Sequence, residues 1–390
     1  MSPPEQRLHA LDNLRALMMW LGIVLHGAEN YVVTDTPIPW RDEHRTLVAD
    51  FLLAFIHAFR MPVFFIIAGF FVAMLLESRG PAGTARHRVM RLGLPFAVFW
   101  LPLLIASGFS ALLFIHLMVR GTWGIEPDLI LPYLHKPDMP ELTSGPNTMH
   151  MWFLWMLLWM SLATALLAHF VPAQFWRMPT RLLRRLAGSW WGPVVLTLPL
   201  VATDIGYVRG VMFPSGLFVP PLAEWVHQGL FFVVGLAMYG VRAEAFAFYE
   251  RRWAAFAVAG LVTFFVAGGA IQRYEPLPFA SAYGLTGWLW SFAWLGIGLK
   301  WMSSRNAVLG YLSESSYWVY LIHFPLTIAF GTLLYVMDLP GLAKMLLDIG
   351  ATTIVCLATY HLFVRFTWVS VLLNGKRHFR AQGPAALTPA

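Results

Sequence analysis

Residues 48–76 read VADFLLAFIHAFRMPVFFIIAGFFVAMLL, a run that is apolar apart from Asp50, His57 and Arg60. A helix needs about 20 apolar residues to cross the hydrocarbon core of a bilayer, which is about 30 Å thick. Because backbone groups in lipid must find partners within their own segment, a lone spanning stretch adopts a helix. Residues 48–76 therefore predict a membrane-spanning helix.

The rest of the chain resembles this stretch in composition. Hydrophobic residues make up 58% of the 390 residues and charged residues 12%, whereas soluble domains carry about 25% charged residues. The mean hydropathy is +0.63. We therefore expect an all-α, polytopic integral membrane protein of about ten transmembrane helices in one bundle. The predicted spans are residues 11–33, 48–76, 93–118, 149–171, 190–208, 222–242, 253–273, 283–303, 309–335 and 345–372.

Lys and Arg residues are distributed unevenly between the two sets of loops. An even number of spans places both termini on one side, and 19 of the 27 Lys and Arg residues fall on that side. The positive-inside rule then predicts that both termini are cytoplasmic. Basic loops facing anionic membrane lipid account for the net charge of +7. The sequence contains no run of basic residues interleaved with aromatic residues, which would indicate a nucleic-acid-binding surface.

One membrane domain accounts for almost the whole chain. We assign residues 1–372 to it, and residues 373–390 to a short basic, Pro/Ala-rich cytoplasmic tail that is predicted to be disordered. The sequence contains no P-loop, no zinc-ligand pattern and no EF-hand loop. The sequence therefore predicts neither a metal site nor a permanently bound cofactor.

Several titratable residues lie at a similar depth in the outer half of the predicted helices. Such groups are costly in a membrane and by default indicate function. A single histidine more often makes a helix–helix hydrogen bond, but several at one depth favour a shared polar cavity open to the outside. The residues concerned are His26, His57, His150, Asp204, Glu224, His227 and His323.

The first predicted helix carries four polar residues on one face. At 100° per residue, Asp12, Arg15 and His26 lie close together around the helix, and Glu29 follows His26 by one turn. A carboxylate beside an imidazole fixes the tautomer of the ring and stabilises its protonated form, as a general base requires. The alternative is an interfacial ion pair together with a structural histidine.

The second helix carries an arginine at mid-membrane depth. Arg60 shares a face with His57, three residues before it. A buried guanidinium must find an anion. That anion is either the carboxylate of a ligand or a carboxylate of the protein itself. Asp204 and Glu29 are the candidates within the protein. The sequence favours neither alternative.

Residues 77–93 are predicted to form a loop between the second and third spans. Arg86, Arg88 and Arg91 lie in it. The positive-inside rule alone explains their presence, although guanidinium groups at the mouth of the third helix are also suited to holding phosphates.

Four segments together resemble the membrane acyltransferase family 3. They occur in order between residue 11 and about residue 326, and the number of helices agrees with the family. The segments are Asp12-Asn13-Leu14-Arg15 followed by His26, MPVFFIIAGF at 61–70, RVMRLGLP at 88–95 and SYWVYLIH at 316–323. Ala68 stands where the family usually has Ser, and His87 stands where some members have the first of two arginines spaced four apart.

The resemblance implies an acyl transfer across a bacterial inner membrane. Cytoplasmic acyl-CoA would donate the group, and a periplasmic glucan or other extracytoplasmic carbohydrate would accept it. His26, supported by Glu29, is then the general base, and Asp12 and Arg15 are a supporting pair. Arg86, Arg88 and Arg91 would bind CoA. The acyl group or the acceptor would contact His57, Arg60, His150, Asp204, Glu224 and His323.

Arg60 bears on the identity of the acyl group. A succinyl donor carries a free carboxylate that an acetyl donor lacks, and a planar guanidinium can hold it through two hydrogen bonds. We therefore expect succinyl-CoA as the donor. Two alternatives remain: O-acetylation of a surface polysaccharide, and a transporter that uses the same buried side chains. No internal repeat of the kind common in transporters is found.

Overall fold

The computed structural model describes residues 4–36, 38–130, 147–207, 210, 212–304 and 307–375. Most of the predicted 373–390 tail and most of the long 119–148 loop lie outside these residues. The described part is 82% helical and contains no strand. Its helices, numbered along the chain, are α1 Pro4–Glu29, α2 Leu47–Arg88, α3 Leu94–Arg120, α4 Trp152–Phe170, α5 Ala173–Ala187, α6 Gly192–Asp204, α7 Leu222–Tyr239, α8 Arg242–Gln272, α9 Pro276–Trp301, α10 Ala307–Tyr335, α11 Gly341–Thr359 and α12 Trp368–Asn374.

Membrane-spanning capacity follows from length and composition. In the described part, seven helical stretches are long and apolar enough to cross a membrane, or eight if the bent pair Met178–Ala187 and Gly192–Asp204 forms one span. One of the seven, Leu47–Arg120, is a continuous run of 74 residues. That run contains two predicted spans, 48–76 and 93–118. The prediction of an all-α, polytopic membrane protein is confirmed.

The expected loop at residues 77–93 is helical, so that prediction was wrong. Helix α2 passes through a kink at Gly80, where φ is 67° and ψ is 177°, and continues to Arg88. A π-helical turn, Val89–Gly93, then leads into α3. Pro81 does not end the helix, because a proline is tolerated in the first turn of a helical segment, and such a segment restarts after Gly80.

The last predicted span, 345–372, is interrupted. Helix α11 ends at Thr359, and a π-helical turn, Tyr360–Val364, follows it. Helix α12 begins separately, with the side chain of Thr367 accepting a hydrogen bond from the backbone N–H of Val369 at 3.3 Å. The prediction of one continuous helix was therefore wrong here as well, because the apolar pattern does not report the cap at Thr367.

Helix α2 occupies the centre of the bundle and packs against α1, α4, α7 and α9. It approaches α7 closely at Gly69 and Gly235. A Cβ at Gly69 would collide with the carbonyl of Phe232, and a Cβ at Gly235 would collide with the carbonyl of Ile66. Close backbone approach of this kind is how helices associate in membranes. It fixes the depth of the residues that precede Gly69 on α2.

Helix α1 lies beside α2, and α10 packs against the other side of α1. Helix α1 packs against α2, α10 and α11, and α10 packs against α3 and α11. The indole N–H of Trp20 donates to the carbonyl of Leu312 at 3.1 Å, which ties α1 to α10. The polar faces of these three helices therefore meet inside the bundle.

Candidate active site

A large cavity of about 180 Å³ lies where α1, α2, α4 and α10 meet. Six of the titratable residues that the sequence singled out line it together: His26, Glu29, His57, Arg60, His150 and His323.

His26 and Glu29 form a hydrogen-bonded pair at the end of α1. The distance between His26 Nδ1 and Glu29 Oε2 is 2.7 Å, and the two side chains are 17% and 13% exposed. An ionised carboxylate can only accept, so Nδ1 carries the proton and Nε2 is left as an acceptor. Among the described residues, Nε2 has no hydrogen-bond partner. His26 therefore has the features of a general base.

Two further histidines face the same space with an unpaired nitrogen. His323 lies with its ring centre 5.1 Å from that of His26, and its Nδ1 donates to carbonyls of the preceding turn. His150 donates from Nε2 to the carbonyl of Leu321 at 2.9 Å. Within the part of the chain that the structure describes, Nε2 of His323 and Nδ1 of His150 are buried without a partner. Unpaired buried polar atoms are rare in native proteins, and acceptors of this kind suit the hydroxyl groups of a ligand.

Arg60 is the cationic group of the large cavity. It is 6% exposed, and its Nε donates to the carbonyl of Met18 at 2.9 Å. Within the described part of the chain, no carboxylate lies within salt-bridge distance of it. The two internal partners considered from the sequence, Glu29 and Asp204, each bond to a histidine instead. The remaining guanidinium N–H groups are therefore free for a ligand.

Gly22, which the sequence analysis did not single out, makes room for these groups. It lies one turn before His26 on α1. A Cβ at this position would lie 2.6 Å from Nη2 of Arg60 and 3.0 Å from Nε2 of His323. Its spacing of four residues from His26 was the available signal, because residues four apart share a helix face.

Asp204, Asp12, Arg15 and Glu224 lie outside the large cavity. Asp204 lines a smaller cavity that also includes His57. Asp12 and Arg15 form an ion pair at 3.3 Å, each 41% exposed, about 20 Å along α1 from His26 at 1.5 Å per residue. The carboxylate of Glu224 accepts from the backbone N–H of Ser215 at 2.9 Å, and Glu224 lines neither cavity. Its position fits an anchor for the chain before α7.

The three arginines near the start of α3 have different surroundings. Arg86 is exposed. Arg91 donates to the carbonyls of Val371 and Leu372 at 3.0 and 3.2 Å and so holds α12. Arg88 is 9% exposed, and its Nε and Nη2 are buried without a partner among the described residues. Arg88 is therefore the member of this set that buries unpaired donors, which an anion could satisfy.

The chain between α6 and α7 forms part of both cavities, which the sequence analysis missed. Phe213 lines the large cavity, and Pro214 lines both. The hydroxyl of Thr148 donates to the carbonyl of Gly216 at 2.8 Å, and the indole of Trp155 donates to that of Phe218 at 2.8 Å. No periodicity marks this irregular segment, so only its tertiary hydrogen bonds reveal its position.

A second polar cluster, which we call the loop cluster, consists of Asn30, Trp40, Asp42, Lys344 and Asp348. Lys344 is fully buried, and its Nζ donates to both oxygens of Asp42 at 2.9 and 2.8 Å. Asn30 donates to Asp348 at 2.9 Å and accepts from Trp40 at 3.1 Å. This network ties the chain between α1 and α2 to α11.

Tyr31 lies beside this cluster, outside the helical part of α1. Burial, followed by the nearby negative charges of Asp348 and Asp42, raises the pKa of its hydroxyl well above the ordinary value. The hydroxyl therefore remains protonated. It lies at 3.5 Å from Asp348 as a donor.

Metal ligation has no candidate in the described part of the chain, where no three His, Cys, Asp or Glu side chains are grouped closely enough to hold an ion.

Comparison with known protein families identifies the class of protein to which this fold and cavity belong. The family model described as an acyltransferase domain, Acyl_transf_3, matches residues 8–361. Every residue that lines the large cavity falls within that match. The multi-pass helical fold and the match together define a membrane acyltransferase. The chain belongs to the Acyl_transf_3 family.

Individual relatives extend over the same length. Glucans biosynthesis protein C of Salmonella heidelberg (strain SL476) is 26% identical over 407 residues, which cover 99% of this chain and 99% of the relative. The protein of the same name from Escherichia coli O1:K1 / APEC is 27% identical over 396 residues, 96% of each. No solved structure matches the chain. The family resemblance predicted from the four sequence segments is confirmed.

Proposed function

We propose that this protein transfers an acyl group, in particular a succinyl group, from cytoplasmic acyl-CoA to a hydroxyl of a glucan or related carbohydrate outside the inner membrane. The observation that carries this proposal is the His26–Glu29 pair, whose free Nε2 faces a cavity that also holds an unpaired Arg60. The name of these relatives refers to glucans, which supports a glucan acceptor.

His26 would act as the general base. Its Nε2 takes the proton of the acceptor hydroxyl as the hydroxyl oxygen attacks the thioester carbonyl. The tetrahedral intermediate then expels the CoA thiolate, which takes the proton from His26, so that the products are the sugar ester and CoA thiol. Glu29 stabilises the imidazolium that forms between these two proton transfers. A positioned base of this kind typically contributes about 10²–10⁴-fold to the rate.

Arg60 would receive the free carboxylate of a succinyl group. Moving that charge into a low-dielectric cavity is costly unless a partner meets it. The side chain is already desolvated and lacks an internal carboxylate partner among the described residues. Among the described residues, Glu29 and Asp204 each pair with a histidine, which supports a ligand rather than an internal carboxylate as the partner of Arg60.

Arg88 would contribute at the donor end. Its two unpaired N–H groups suit a phosphate oxygen of CoA, because charge-assisted hydrogen bonds are stronger than neutral ones. Arg91 is a weaker candidate, since it holds α12.

The test is an acyl-transfer assay with purified protein. The protein is reconstituted in nanodiscs with radiolabelled succinyl-CoA and a linear glucose oligosaccharide, and labelled ester and free CoA thiol are measured together. We expect both to appear in equal amounts and to depend on the acceptor. Release of CoA without ester would indicate hydrolysis instead. The absence of both products with either succinyl-CoA or acetyl-CoA would reject the proposal and leave transport as the alternative.

A further inference from the structure

Helix α5, Ala173–Ala187, differs from the spanning helices in length and charge. It has 15 residues, which include four arginines and neither Asp nor Glu. A bilayer core about 30 Å thick needs about 20 apolar residues to cross it, and each arginine buried in that core is costly. Helix α5 therefore does not cross the membrane by itself.

The course of the chain places α5 along the membrane surface. The segment Met178–Ala187 is bent by 115° from the following helix, α6, so α5 runs close to the membrane plane when α6 runs along the membrane normal. Trp190 and Trp191 lie at the bend and are 47% and 53% exposed. Exposed tryptophans are typical of the boundary between hydrocarbon and water. The bend therefore lies at this interface, and α5 lies beside it.

One side of α5 is fixed to the rest of the bundle. Leu186 and Ala187 are buried, and the carbonyl of Ala187 accepts a hydrogen bond from the hydroxyl of Tyr249 on α8 at 2.6 Å. The guanidinium of Arg184 lies against Gly240, where α7 ends, and a cation is favourable at the C-terminal end of a helix. Helix α5 is therefore a docked part of the fold, and its opposite side faces outward.

The outward side of α5 carries an apolar stripe beside a basic one. The apolar stripe consists of Phe175, Met178 and Leu182, which are 64%, 83% and 56% exposed. At 100° per residue, their spacings of three and four residues place them on one face. Arg181 and Arg185, which are also exposed, form the basic stripe along the edge of this face that lies away from the bundle. This arrangement is typical of a helix that lies in the membrane interface.

The basic stripe is suited to an anion. Within the described part of the chain, no carboxylate pairs with Arg181 or Arg185, and a guanidinium group can hold phosphate oxygens through two hydrogen bonds. Free phosphate would engage these two arginines alone and would leave the apolar stripe in water. An anionic phospholipid matches both stripes, because its phosphate meets the arginines while its acyl chains meet the apolar side chains.

We propose that α5 is an interfacial helix that binds an anionic phospholipid of the surrounding bilayer through Arg181, Arg185 and the apolar stripe. None of the described residues of α5 lines either cavity. The proposal is therefore independent of the acyltransferase function, and either can fail without the other.

The test is native mass spectrometry of the full-length protein in detergent, titrated with phosphatidylglycerol or with phosphatidylcholine that carries the same acyl chains. The parent should bind phosphatidylglycerol more tightly. Arg181→Gln combined with Arg185→Gln should reduce this preference by about fivefold per arginine, the equivalent of about 1 kcal/mol for each basic residue near an anionic surface. Met178→Gln should weaken the binding of both lipids, because it places an amide against the acyl chains.

Arg242→Gln combined with Arg251→Gln is the matched control, because both arginines are exposed on α8, donate to backbone carbonyls and carry the same total charge. This control should keep the parental preference. An equal loss in the control would reduce the effect to net charge and overturn the site. A parent without preference, or a parental preference in the variant that lacks Arg181 and Arg185, would overturn it as well. Displacement of phosphatidylglycerol by excess inorganic phosphate would identify a site for the anion alone and reject the lipid.

Discussion

The loop cluster and the large cavity both bury charged groups inside the bundle, yet they treat those groups differently. In the loop cluster, Lys344 meets both oxygens of Asp42, and Asn30 uses both ends of its amide. In the large cavity, Arg60 lacks a carboxylate partner and His323 leaves Nε2 unpaired, as far as the described residues show.

The difference separates structural from functional polar groups. A buried polar group without a partner costs about 1–3 kcal/mol, and more when it is charged. A cluster whose members satisfy one another has no need of a ligand, and its role is to hold helices and loops together. A cluster that keeps unpaired donors and acceptors around a cavity is less stable without a ligand, because only a ligand can satisfy those groups.

The largest expected loss of stability comes from breaking the loop cluster. Lys344→Met leaves Asp42 buried without its cation, which should lower the free energy of unfolding by about 3–5 kcal/mol. Thermal unfolding in detergent measures this loss. The turnover of each folded molecule should stay close to that of the parent. Full stability with lost turnover would assign Lys344 to the active site and erase the distinction between the two regions.

Arg60→Met tests the unpaired cation of the large cavity. We expect succinyl transfer to fall by roughly 10- to 100-fold relative to acetyl transfer, the worth of hydrogen bonds to a charged group. The rates with succinyl-CoA and acetyl-CoA are compared in the same preparation. Arg273→Met is the control, because Arg273 is exposed and pairs with Glu275. Equal losses with both donors, or a parent that uses only acetyl-CoA, would contradict the role given to Arg60.

Gly22→Ala tests how tightly the large cavity is built. The new methyl group would press on Arg60 and His323, and overpacking of this kind typically costs about 1–3 kcal/mol. We expect lower stability and lower succinyl transfer together. Gly268→Ala on α8 is the matched control, because a Cβ there meets nothing within 4 Å. If both variants behave alike, Gly22 does not shape the cavity.

The smallest effects are expected at the donor end, where Arg88 and Arg91 should separate. Arg88→Ala should raise the KM for acyl-CoA several-fold without changing the affinity for the acceptor. Arg91→Ala should mainly lower the thermal unfolding temperature, since its hydrogen bonds to α12 are worth about 0.5–1.5 kcal/mol each. Initial rates over a range of donor concentrations measure the first effect. A change confined to the affinity for the acceptor would contradict the assignment of Arg88 to the binding of the acyl-CoA donor.

Helical periodicity predicted the parts of the site that lie on regular helices. His26 and Glu29 were expected on one face of α1, and His57 and Arg60 on one face of α2, and both pairs line the large cavity. Their positions along their helices predicted that His150 and His323 lie at a membrane depth similar to that of His26 and His57. These inferences succeed because a spanning helix fixes both the depth and the direction of its side chains.

The remaining features depend on contacts that no local pattern carries. Asp42 and Lys344 are 302 positions apart in the sequence. The segment around Pro214 is irregular, and its position depends on bonds to Thr148 and Trp155 on other parts of the chain. The helical course of residues 77–93 was missed because Gly80 and Pro81 indicate a break, whereas Gly80 absorbs the kink and lets the helix restart.

The central claim is that His26 is the base of an acyl transfer, and one measurement tests it most directly. The turnover of His26→Ala is compared with that of the parent per folded molecule, with succinyl-CoA and a glucose oligosaccharide. His169→Ala is the control, because His169 is an exposed histidine that lines neither cavity. We predict a fall of about 10²–10⁴-fold for His26→Ala at nearly parental stability, with a smaller loss for Glu29→Gln. Near-normal turnover of His26→Ala would contradict the account.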